Sequence, residues 1–238
     1  MKLTWIKDEA TAFWANRVSM IKSSQPQEQY DGSNYRIWEE TWRKNRLALK
    51  ASFPSSCRYP GQPGYLLASP QNIIQCFGDK KVLQALALVV AWGRMVRTSK
   101  KIYTRPLQEI EKILLECIPS IENDKSIESS WNLLIDKLDW SAVITSKCLH
   151  FLARSLSFEE NPPVPIDNKI ILKKVWPEFE KKVKDRHDYS LSPMLYRWWD
   201  YENNWAAYNR YMTAINCWAE NKGWTTTQVE NTLFHEYG

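Results

Sequence analysis

The sequence predicts an all-α protein, and three observations point there. Its 238 residues include 13 tryptophans but only 7 glycines, a balance suited to packed helices rather than to a turn-rich barrel. Apolar side chains recur at helical spacing along most of the chain, and no convincing strand pattern competes with them. Neither an internal repeat nor a low-complexity tract breaks the pattern.

The elements follow in order. Tyr35, Trp38, Trp42 and Leu49 fit one stripe of a helix over residues 34–51. Residues 53–70 carry Pro54, Pro60, Gly61, Pro63, Gly64 and Pro70 and read as an ordered loop. Asp79 then caps an apolar helix through Val82, Leu83, Leu86, Val89 and Val90, whose hydrophobic circumference makes it central. Helices are also expected over residues 106–117, with proline in the first turn, and 126–138, with Ser126 as cap. The segment 146–156 is another, and 168–185 is a mixed-charge helix. A long helix over 201–221 places Trp205, Tyr208, Met212, Ile215 and Ala219 on one face and stops at Gly223. Thr225 and Gln228 form a capping box for the last helix.

Bulk numbers exclude several classes. Hydrophobic residues at 44% and charged residues at 25% are globular values, enough for one domain or two closely joined lobes. The longest apolar run, residues 85–92, is too short to span a bilayer, and the N-terminus shows no apolar signal region. Five scattered cysteines without a CxxC spacing argue against a disulfide scaffold, a zinc site or an iron–sulfur cluster. Three widely spaced histidines make a metal centre improbable, so no cofactor is expected. The default is a reduced cytoplasmic monomer without a membrane partner. A net charge of +5 is mild, so any role with nucleic acid depends on where the charge sits.

The chemistry concentrates between Lys147 and Asp167. Lys147 stands near the start of a helical pattern in which Leu149, Leu152, Ala153 and Leu156 form the buried face. Lys147, His150 and Arg154 share the opposite face. Pro162, Pro163 and Pro165 stiffen the return, which is long enough to bring Asp167, at the next helix start, level with Lys147. A helix dipole disfavours an ammonium and favours a carboxylate at its N-terminus. Lowering a lysine from about 10.4 to about 7.5 requires roughly 4 kcal/mol, while the dipole gives at most about 2. Desolvation must supply the remainder, so the residues should meet in a closed cleft. Taken singly, Asp167 is a good helix cap and Lys147 a solvated first-turn lysine.

Together, Val143-Ile144-Thr145-Ser146-Lys147 and Val164-Pro165-Ile166-Asp167 resemble the helix-hairpin-helix DNA glycosylases, in particular the branch related to 8-oxoguanine DNA glycosylase and its bacterial, antiphage members. In that family the hairpin reads approximately PGVGTK and the later motif VPVD. The resemblance is firmest over residues 126–176 and treats 1–238 as a single glycosylase-like unit. It implies a two-lobed helical fold with the active site in the cleft, Lys147 as Schiff-base nucleophile and Asp167 as stabiliser of charge at the sugar C1′. Val143 and Thr145 stand where the family usually has glycine, which lets backbone amides approach a phosphate closely.

Other groups complete the expected site. Arg94, Arg97, Lys100, Lys101 and Arg105 form a tract uninterrupted by acid that could follow a phosphate backbone, joined by Thr145 and Ser146 at the hairpin. Trp198 and Trp199, in the densest aromatic cluster, with His150 and Phe151 one turn after Lys147, are expected to border a base pocket. The resemblance implies as partner double-stranded DNA containing a modified base, either an oxidised purine or glucosylated hydroxymethylcytosine. Two other classes compete: a non-catalytic helical DNA-binding protein using the basic tract, and a helical interaction protein without a nucleic-acid role.

Overall fold

The computed structural model describes residues 3, 5–27, 35–38, 55–57, 61, 64–93, 95, 102, 105–158, 161–167, 169–185 and 205–238. They form nine α-helices and one two-stranded antiparallel sheet, so the mostly helical class holds. Here α1 is Glu9–Ala15, β1 Tyr35–Trp38, β2 Tyr65–Ala68, α2 Pro70–Gly78 and α3 Val82–Trp92. After them come α4 Leu107–Asp124, α5 Glu128–Leu138, α6 Ala142–Ser155, α7 Trp176–Lys184, α8 Trp205–Lys222 and α9 Thr226–Tyr237.

Several elements differ from the sequence reading for identifiable reasons. Of the helix expected over residues 34–51, Tyr35–Trp38 form strand β1, which pairs with β2 so that Tyr35 faces Ala68 and Trp38 faces Tyr65, while Trp42 and Leu49 lie outside the described residues. Cross-strand pairing within the segment read as loop overrides the helical spacing. That segment also holds a short 3₁₀ turn, Ser55–Cys57. Asp79 does not cap α3; it ends α2, which starts at Ser69, whose hydroxyl accepts the Asn72 N–H. Lys80, at φ 57°, then turns the chain into α3, whose own start has no side-chain cap. In α4 the helix runs through exposed Pro119 to Asp124. Helix α5 starts at Glu128, although Ser126 Oγ still accepts the Glu128 N–H. The start of α7 is a wide π turn, Ile171–Val175, bonded from Val175 N–H to Ile170 O. Pro177 cannot donate and its ring crowds the carbonyl of Lys173, which a widened turn accommodates.

Two helices are enclosed on almost all sides. From Val82 to Ala91 every residue of α3 is buried, and in α6 so are Ala142 and each residue from Ile144 to Ala153. The expected two-faced α6 is therefore a central helix, packed against α2, α3 and α5. Burial of apolar surface on this scale is the main stabilising term. A second body of packing joins the chain ends: Trp218 Nε1 on α8 donates to Ala15 O at 3.2 Å and Val18 O at 3.0 Å. Trp131 of α5 stacks on Tyr208 of α8 at 4.2 Å between centroids and links the two regions. Gly223, at φ 67°, ends α8, and the Thr225–Gln228 capping box opens α9 as expected.

Candidate functional site

Helix α6 begins at Ala142, earlier than the sequence suggested, so Lys147 occupies its second turn. The dipole acts mainly within the first turn and contributes little there. Enclosure replaces it: Lys147 is 5% exposed. The end of α3 forms one wall, with Lys147 Nζ 5.6 Å from the centre of the Trp92 ring. The next residue is Gly93, where a Cβ would lie 3.2 Å from both Cδ and Nζ of Lys147. Its missing side chain makes room for the amine.

The Pro-rich return is tied down residue by residue. His150 Nδ1 donates to Pro163 O at 2.7 Å, Tyr208 to Val164 O at 2.9 Å and Tyr211 to Pro165 O at 3.4 Å. The Ile166 N–H donates to Ser146 Oγ at 2.9 Å, and Ser146 donates on to Val143 O at 3.2 Å. Asp167 Oδ1 accepts the N–H groups of Lys169 and Ile170 at 2.7 and 2.9 Å. The aspartate therefore caps the turn leading into α7, and its charge acts on Lys147. Of the two roles weighed from the sequence, these bonds carry the capping one.

Electrostatics follow from enclosure. Burial pushes the Lys147 amine below the ordinary lysine value, while Asp167, Glu230 and Cys148 pull it back. Burial lifts the Glu230 carboxyl to about 8; Lys147 opposes that rise and Asp167 adds to it. Glu230 is 8% exposed on α9 and was not singled out in the sequence. One turn earlier on the same face, Thr226 bonds to Pro162 O, so α9 lies against the return. No local pattern marks Glu230, because a glutamate in a terminal helix ordinarily faces water.

The remaining expected residues divide into three groups. Thr145 and Ser146 are fully buried, and the Ser146 hydroxyl is used inside the protein; the hairpin contact to DNA assigned to them is corrected accordingly. His150 and Phe151 are buried behind the amine: Phe151 packs edge-on against Trp92 at 5.0 Å, and burial holds His150 neutral, down to about 3. They support the wall that Lys147 touches. Arg105 is exposed just before α4. Arg94, Arg97, Lys100, Lys101, Trp198 and Trp199 lie outside the described residues.

Among the described residues no cluster of histidine, cysteine and carboxylate side chains could hold a metal ion. No helix there is long and apolar enough to cross a membrane. A secluded amine can add to an electrophilic carbon, and a carboxylate whose charge reaches it can stabilise a developing positive charge. No family model, curated protein or solved structure matches the chain.

Proposed function

We propose that this chain is a DNA glycosylase that everts a modified base and cleaves its N-glycosidic bond. The observation that carries the reading is the buried Lys147 amine, lowered by desolvation, with the residue before it bonded to the residue before Asp167. A lysine left in water is almost entirely ammonium at neutral pH and cannot attack. Enclosure costs stability, and a nucleophilic role accounts for it.

In the bifunctional version the Lys147 lone pair forms a bond to C1′. The C1′–base bond breaks with its electron pair going to the base, which is protonated as it leaves. Loss of a proton from the new C1′–N group and opening of the sugar give a Schiff base, from which strand nicking can follow. In the monofunctional version Asp167 steadies an oxocarbenium-like sugar while water attacks. The base would be an oxidised purine or glucosylated hydroxymethylcytosine, corresponding to repair or to defence against phage.

Base release from oxidised, alkylated and glucosylated duplexes tests the reading, combined with borohydride trapping. Release abolished in Asp167→Asn, with a trapped adduct lost in Lys147→Ala, supports the bifunctional enzyme. Salt-sensitive binding without release from any of these substrates favours the non-catalytic DNA-binding protein.

A further inference from the structure

Cys57 and Cys76 are 19 positions apart, and no spacing motif marks them as a pair. The fold nevertheless brings their Sγ atoms to 3.8 Å, in hydrogen-bond contact and shut off from water. Cys57 ends the 3₁₀ turn Ser55–Cys57, and Cys76 lies in the last turn of α2, on the buried face it shares with Ile73 and Phe77. Beside this contact, Ser56 Oγ donates to Gln75 Oε1 at 2.9 Å on the exposed surface. The turn is thus docked on α2 at two consecutive residues, by one bond in water and one sulfur contact below it. Among the described residues, which include all five cysteines, no other two sulfurs are bonded in this way.

We propose that Cys57 and Cys76 are a redox modification site, closing reversibly to a disulfide that fastens the Ser55–Cys57 turn to α2. The inference needs neither DNA nor Lys147 and goes beyond the glycosylase reading. A disulfide is about 2.05 Å long, so the sulfurs must approach by roughly 1.8 Å. The turn supplies that movement more readily than the helix. The Cys76 carbonyl accepts the Lys81 N–H at 2.8 Å, in the corner that Lys80 makes between α2 and α3, which fixes its backbone. Ser55 and Ser56 are exposed and the turn is held at the surface by the Gln75 bond, so a local opening admits a small oxidant to Cys57.

The chemistry is thiol–disulfide exchange with a low-molecular-weight disulfide, here oxidised glutathione. Cys57 attacks first, because its bond to Cys76, together with burial, keeps the proton on the Cys76 thiol. The Cys57 thiolate, its proton lost to solvent, bonds to one glutathione sulfur while the glutathione S–S bond breaks and the other sulfur leaves as thiolate. Carrying glutathione, Cys57 is no longer an anion that holds the Cys76 proton. Cys76 then loses that proton and attacks the Cys57 sulfur, expelling the second glutathione as thiolate. The net change oxidises two protein thiols to one disulfide and reduces one glutathione disulfide to two thiols.

The folded full chain is equilibrated with glutathione mixtures of rising oxidised fraction, unfolded in N-ethylmaleimide and mapped by non-reducing peptide mass spectrometry. A peptide joining Cys57 to Cys76 should accumulate and vanish on adding dithiothreitol, while Cys117, Cys148 and Cys217, all buried, remain alkylatable on unfolding. The oxidised protein should melt about 5 °C or more above the reduced one, because the link closes the intervening loop in the unfolded chain. In Cys76→Ala the reaction should stop at glutathione on Cys57. Both thiols still alkylatable in the most oxidising mixture, or a different cysteine pairing, overturns the proposal. So does an oxidised form that melts at or below the reduced one. The peptide map of the unaltered chain decides even where the variant fails to fold. Base release plays no part in it, so the glycosylase reading stands or falls separately.

Discussion

The Ser146 hydroxyl accepts the Ile166 N–H at 2.9 Å, joining the residue before Lys147 to the residue before Asp167. One buried bond thus fixes the separation of two groups 20 positions apart in the chain. Ser146→Ala leaves that N–H without a partner, at a cost of about 1–3 kcal/mol. Urea unfolding should register the loss. If the bond also positions the pair, adduct trapping at saturating DNA should fall further than in Thr145→Val, which is buried equally but whose hydroxyl has no hydrogen-bond partner among the described residues.

Gly93 offers a test of crowding from the opposite wall. Its φ of −74° is ordinary, so alanine meets no backbone penalty there. The new Cβ would instead lie 2.7 Å from Met95 Cε and 3.2 Å from Lys147 Nζ. Both contacts are with flexible side-chain ends that can move. Gly93→Ala should therefore cost little stability, about 1 kcal/mol or less, yet displace the amine and slow adduct formation by roughly tenfold or more. Thermal melting beside single-turnover trapping separates the two effects. Equal, small changes in both would show that the position of the amine does not matter.

His150 predicts the acid side of the stability curve. Burial depresses this base from 6.5 to about 3, with Arg154 acting in the same direction. The unfolded chain therefore takes up the proton first. The stability of neutral His150 is intact above about 6.5 and is lost as pH falls toward about 3. The loss is on the order of 5 kcal/mol. His150→Gln retains a donor for Pro163 O and has no charge to acquire. It should be less stable than the parent at neutral pH, with the gap narrowing as pH falls through that window. Melts at several pH values decide, and a constant gap would assign the acid loss to other groups.

The legible parts of this molecule are those whose causes are local. The Thr225–Gln228 box, the Gly223 stop and the Asp167 cap each depend on atoms within a few residues, and each was readable. Strand β1 was not, since its partner begins 27 positions beyond its last residue and the i, i+3 spacing of Tyr35 and Trp38 favours a helix. Asp79 suits either end of a helix, and only the Ser69 start of α2 decides which end it serves. At the site, the order of Lys147 and Asp167 and the stiff return suggested their convergence. The inward turn of Ser146 and the arrival of Glu230 depend on how α6 and α9 pack, which no short window encodes.

Lys147 itself gives the sharpest separation of folding from function. An enclosed amine with its charged form disfavoured is a poor stabilising residue, and no hydrogen bond offsets its burial among the described residues. Methionine fills nearly the same volume without a charge and suits the Trp92 face. Lys147→Met should raise the unfolding free energy by about 1–3 kcal/mol, more at acid pH than at alkaline pH. The sign follows from the lowered folded-state value: the unfolded lysine is protonated first, so the penalty is largest at low pH and fades as pH rises through the unfolded value. The same variant should form no borohydride-trapped adduct. A stabilised but inert protein would mark this position as one where stability has been given up for reactivity. A variant destabilised at every pH would instead make the lysine a packing residue.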